Sequence, residues 1–148
     1  MIDVAPQTGV RQTRLLEGEY ILGKEDLAQR TRFDDSIARG RDYYMPYRVL
    51  LPKTIDNLLV AGRHYSVSSQ AQKISREIPP CMAMGEAAGT AAALALAAGV
   101  SVRNVDVRQL QKVLRAQGAD PGDQVGRNAD VPALAAELAT HNAVLETV

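Results

Sequence analysis

Between Pro79 and Val100 the chain reads PPCMAMGEAAGTAAALALAAGV, and no other stretch limits its fold so tightly. Ala, Leu, Met and Glu dominate Cys81–Ala98, and these are the strongest helix formers. Pro79 and Pro80 suit a helix start, where their missing N–H groups would have no partner anyway. Gly99 suits its end, since it accepts a positive φ just past the last turn. Gly85 and Gly89 stand four apart, as do Ala88 and Ala92, so small residues line one face. Such a face admits close approach by a sheet or a flat ligand. A membrane helix with a Gly-x-x-x-Gly seam would share this pattern. Glu86, the scarcity of large apolar side chains and the lack of an aromatic belt argue against it. The expectation is a deeply buried helix in a chain that meets no membrane.

Just ahead of it stands Asn57–Gly62, NLLVAG, whose Leu58–Ala61 core has the continuous apolar character of a strand buried on both faces. The aromatic and β-branched run Asp42–Pro52 is framed by prolines, which predicts a strand over Tyr47–Leu51. Further back, Thr13–Leu22 reads as a strand or hairpin arm with Gly18 as a bulge or turn. Lys24–Thr31 reads as a short helix, and Asp34 or Asp35 as the cap of another running to Arg39. Arg63–Ser75 is a loop or short helix. Downstream, Asp106 caps a predicted helix over Val107–Ala116 with Val107, Leu110, Val113 and Leu114 on one face. Gly118–Asp130 reads as a loop and Val131–Thr140 as a last short helix. The fold class is mixed α/β, with strands before a long alanine-rich helix and a helical tail. It divides as one partial domain: strands and short helices over 1–56, strand and long helix over 57–100, and the tail over 101–148.

Composition narrows the function. The 148 residues carry 17 basic and 17 acidic side chains, so no net field draws nucleic acid or anionic lipid. One cysteine excludes an internal disulfide. With only His64 and His141 beside it, a zinc site lacks its usual ligands. The opening MIDVAPQTGVRQTR has no apolar core of a signal peptide, and a cytoplasmic setting is the expectation.

The run from Tyr44 to Ala95 resembles the C-terminal part of the FAD-dependent oxidoreductase family. That family carries a Pro-Tyr-Arg strand, an Asn-Leu-Leu-x-Ala-Gly-Arg strand, an arginine thirteen residues on, a proline, and a Cys-Met-x-Met-Gly helix. Here these fall on Pro46–Arg48, Asn57–Arg63, Arg76, Pro79 and Cys81–Ala92. Arg14–Leu22 and Phe33–Gly40 match more weakly. The resemblance implies an FAD/NAD(P)-binding-type fold whose last sheet strand ends at Gly62. It also implies that Gly62 and Arg63 lie along the ribityl and diphosphate part of FAD. The helix N-terminus then faces the pyrimidine end of the flavin, with backbone donors at Cys81, Met82 and Ala83. Negative charge gathers there on reduction, and a helix N-terminus stabilises it. Hydride transfer between a small-molecule substrate and flavin N5 is the implied reaction. Tyr47, Arg48 and Arg76 are candidate substrate contacts, Arg48 and Arg76 for an anion, with structural ion pairing as the competing role.

The Gly-x-Gly-x-x-Gly turn that seats the ADP half of FAD appears nowhere in this sequence. The expectation is a C-terminal portion or small subunit that shares FAD with a larger chain carrying that fingerprint, or that self-associates. Two departures stand out: Ser68-Ser69-Gln70-Ala71 where the family carries Thr-His-x-Ala, and Glu86 in place of a glutamine. They leave open a scaffold protein that kept the fold and lost the cofactor. Cys81 and His64 as a nucleophilic pair would need a third, orienting group. A small buried residue is the simpler role for Cys81.

Overall fold

The computed structural model describes residues 9–12 and 14–124. Helix α1 spans Lys24–Gln29, where the Asp26 carboxylate accepts the Gly23 N–H at 2.8 Å and Arg30 closes the helix at φ +52°. Strands β1 (Ser36–Arg39) and β2 (Tyr44–Pro46) form an antiparallel pair, with a bulge between Ser36 and Ala38. Their turn depends on Gly40, because a Cβ there would run into the ring of Tyr43. Helices α2 (Ser69–Ser75), α3 (Ile78–Ala98) and α4 (Val107–Ala116) follow. α3 packs on β1 and α4, and the core gathers Ile37, Met45, Val49, Leu50, Met84 and Leu110 between them. The architecture is mixed α/β, as expected.

Several elements land where the residues put them. α4 starts at Asp106, whose carboxylate accepts from Arg108 N–H at 2.9 Å and Gln109 N–H at 3.3 Å. α3 ends at Gly99, φ +67°. Both ends follow from local chemistry, a capping side chain and a residue free to turn left-handed.

Five expectations are corrected. Tyr47–Leu50 is a 3₁₀ turn rather than a strand. The ladder closes at Pro46, and Tyr47 N–H turns to Asp35 O at 2.7 Å. Val49, Leu50 and Leu51 then enter the core, so their apolar run reflects burial on all sides. Asp34 and Asp35 cap no helix: Ser36–Arg39 is strand β1, completed by pairing that local signals do not encode. Across Thr13–Leu22 the described residues form no continuous strand; Gly18 and Leu22 make isolated bridges, to Pro52 and Val67. Gly18 is a point of close approach, where a Cβ would lie 2.7 Å from Ser66 Cβ and 2.8 Å from Leu51 O.

The fourth concerns Leu58–Ala61, which is irregular rather than a doubly buried strand. Leu58 is 42% exposed. Among the described residues one hydrogen bond, Val60 N–H to Leu50 O at 2.9 Å, holds this segment. An apolar run predicts a central strand only where neighbours stand on both edges, and here none do. α3 also departs from deep burial. Pro80, Met84, Ala87, Ala91 and Ala95 form one buried stripe, while Ile78, Met82 and Leu96 are 75%, 70% and 84% exposed on the opposite side. By length and composition α3 could cross a membrane. The predicted helix at Val131–Thr140 lies outside the described residues.

Candidate functional site

The chain leaves the NLLVAG segment through a turn at Gly62, whose φ of +100° is open to glycine and strained for other residues. Gly62 O accepts Tyr65 N–H at 3.1 Å, and His64 O accepts Leu16 N–H at 3.0 Å. Below the turn, the hydroxyls of Tyr65 and Ser75 meet at 2.6 Å and Ser75 returns a bond to Ala71 O. Burial pushes the Tyr65 phenol far up, which keeps it neutral. Arg63 and His64 are thus exposed side chains on a rigidly held corner.

α3 begins three residues before Cys81. Glu77 is its N-cap residue, and Cys81 N–H is bonded to Glu77 O at 3.3 Å. Pro79 and Pro80 have no N–H, so Ile78 carries the free donor of this turn among the described residues. Cys81 is half-buried, Met82 exposed and Ala83 half-buried. Burial raises the Cys81 thiol, and the charge of Arg63 opposes that rise without overcoming it. Of the two regions read as cofactor-facing in the sequence, Gly62–Arg63 and the start of α3, the first therefore acts on the second through the charge of Arg63. Tyr43 is 4% exposed, and its hydroxyl has no partner among the described residues. Burial drives its phenol strongly up, with Glu77, Tyr65 and Cys81 adding to the shift.

Of the other candidates, Tyr47 and Arg48 are engaged elsewhere, and Arg76 is tied to the backbone of Arg11. Tyr47 is 2% exposed and donates its hydroxyl to Val102 O at 2.7 Å. Arg48 forks onto Asp35 at 2.9 and 3.2 Å and stacks over the Tyr20 ring. The hydrogen bonds to Asp35 hold its guanidinium charged. Arg76 donates to Arg11 O at 2.8 Å. At the departure from Thr-His-x-Ala, Ser68 N-caps α2 by accepting Ala71 N–H at 3.3 Å, and Ser69 accepts from Gln12 at 3.0 Å. Sequence reading missed Arg11 and Arg14, which join Arg63 and His64 around a cleft of about 370 Å³. They lie some fifty residues from Arg63 along the chain, and no local pattern signals such a meeting.

The residues present suit the flavin end of FAD. A cation stands beside a helix N-terminus, a positive-φ glycine opens the backbone, and apolar surface at Leu58 and Met82 is exposed. A family model described as FAD dependent oxidoreductase matches residues 1–42 and 39–114. The chain belongs to that family. Neither a curated protein nor a solved structure matches it. As a family member it is assigned to FAD-dependent oxidoreductase chemistry, and the matched residues contain the whole unit from β1 to Leu114 of α4 as well as the Gly62–Arg63 turn.

Proposed function

We propose that the chain is the C-terminal portion, or a small subunit, of an FAD-dependent oxidoreductase and completes the flavin end of the cofactor site. The observation that carries this reading is the positive-φ turn at Gly62, which ends the NLLVAG segment and presents Arg63 to solvent as the family pattern requires. Gly62 and Arg63 would hold the ribityl and diphosphate region, with Cys81, Met82 and Ala83 against the ring. FAD, when bound, supplies hydride transfer with a substrate carbon at N5. The protein's part is to bind, orient and stabilise charge. The positive end of α3 and the Arg63 guanidinium favour negative charge at the pyrimidine side of the ring.

A larger chain bearing the Gly-x-Gly-x-x-Gly turn is the proposed partner, with self-association as the alternative. The support is the second apolar side of α3, where Ile78, Met82 and Leu96 are exposed and a Cβ at Gly85 or Gly89 would meet nothing within 4 Å. A helix apolar all round is normally covered all round. A cytoplasmic setting goes with this reading, Cys81 being a free thiol.

A scaffold protein that no longer binds FAD is the second reading. It is favoured by the bonded Cys81 N–H and by the two prolines, which leave few free donors at the start of α3. Arg63→Ala separates the two. In the assembled protein the flavoenzyme reading expects a clear loss of bound flavin by absorbance, whereas an unchanged flavin content would sink it.

A further inference from the structure

The cleft beside Arg63 has a lining unlike the rest of the surface. Several arginines elsewhere meet carboxylates: Arg30 with Asp42 at 3.0 Å, Arg39 with Asp120 at 2.9 Å, Arg48 with Asp35 at 2.9 Å, and Arg103 with Glu19 and Asp56. Arg11, Arg14 and Arg63 instead line one cleft where, among the described residues, no acidic side chain joins them and none of the three guanidinium groups has a partner. Gathering like charges without a counter-charge is unfavourable unless an anion completes the set.

The walls are held from beneath. Gln72 is 1% exposed, and its side-chain amide donates to Arg63 O at 3.0 Å and to Arg11 O at 3.4 Å. Arg76 adds a second bond to Arg11 O at 2.8 Å, and Leu16 N–H ties its own segment to His64 O at 3.0 Å. The two backbone segments that carry the three arginines are therefore fixed against each other before any ligand arrives. Two buried polar atoms in these walls, Gln72 Oε1 and Arg76 Nε, have no partner among the described residues. The volume, about 370 Å³, lies in the range of small-molecule sites.

We propose that this cleft binds an oxyanion, of the phosphate or carboxylate class, gripped by Arg11, Arg14 and Arg63. Arginine suits the task because its planar fork donates paired hydrogen bonds to such groups. This inference shares Arg63 with the flavin reading; an acidic substrate at the cleft would survive that reading's failure. Two molecules could bring the anion: the cofactor, through its diphosphate, or an acidic substrate.

The test is calorimetric titration of the full chain with inorganic pyrophosphate at low and moderate salt. Three proteins are compared: the wild type, R11Q/R14Q, and R41Q/R108Q as a control that removes equal charge from exposed arginines elsewhere. All four positions are exposed, so folding should be retained. Saturable binding is expected, weakened about tenfold or more in R11Q/R14Q, unchanged in the control, and falling with salt. No saturable binding, or an equal loss in both double variants, overturns the proposal. FAD added to the pyrophosphate-loaded protein then separates the sources. Displacement assigns the anion to the cofactor's diphosphate, and retention while FAD binds assigns it to a substrate.

Discussion

α3 and α4 lie against each other, yet they solve the problem of burial differently. α4 is amphipathic: Leu110, Gln111 and Leu114 face inward, and Arg108, Gln109 and Lys112 face water. Gln111 fastens it by donating to Asp34 O at 2.8 Å and Ser36 O at 2.9 Å. The chain finishes this helix by itself. α3 has no comparable polar face. Its stripe from Pro80 to Ala95 is covered by β1 and α4, while Ile78, Met82 and Leu96 stand open on the other side. The comparison teaches that α4 buries its apolar side within this chain, while α3 leaves a second apolar side open, as the proposed partner would require.

If so, mutations should sort by face. The largest effects belong to the covered side: Leu110→Ala in α4 and Met84→Ala in α3, both fully buried, are expected to cost about 2–5 kcal/mol in denaturant unfolding. A loss at Met84 as small as that of a surface residue would break the comparison at its base.

Next comes the contact that joins the turn after β2 to the segment before α4. Tyr47→Phe removes the hydrogen bond to Val102 O and should cost about 1 kcal/mol. It should also alter alkaline unfolding. Burial raises the Tyr47 phenol from 10.0 to about 12, so the folded state holds this proton more tightly than the unfolded chain does. The stability tied to that proton is complete below pH 10 and is lost as pH climbs towards about 12. Stability measured against pH should fall less steeply across that window in the Phe variant.

The smallest effects sharpen the contrast. Gly89→Ala, where a Cβ meets nothing within 4 Å, should stabilise the isolated chain by up to about 1 kcal/mol through helix propensity. Met82→Ser, at a side chain 70% exposed, should shift it by less than about 0.5 kcal/mol. In the assembled protein both should weaken association, measurable by size-exclusion chromatography. Equal effects in the free and assembled states would mean that this side of α3 stays uncovered.

What could be read in advance follows the range of the forces involved. The ends of α3 and α4 and the position of α1 come from caps, prolines and glycines acting within a few residues, and these were legible. The runs Tyr47–Leu51 and Leu58–Ala61 were not, because an apolar stretch announces burial without saying in which conformation. Strand β1 depends on its pairing with β2, and nothing within SIAR reveals it. The family resemblance puts Arg63 and Cys81 at one site, and the charge of Arg63 does act on the Cys81 thiol. The arginine cleft was not, since Arg11 and Arg63 meet only through the buried amide of Gln72. Arg48 shows the same limit, for one sequence fits both an anion site and the pair it forms with Asp35.

The most direct test of the proposed partner on the open side of α3 is native mass spectrometry of the protein drawn from its own cells. The account predicts a complex with a larger chain that also carries the mass of FAD. A lone chain, or copies of this chain alone without flavin, would contradict it.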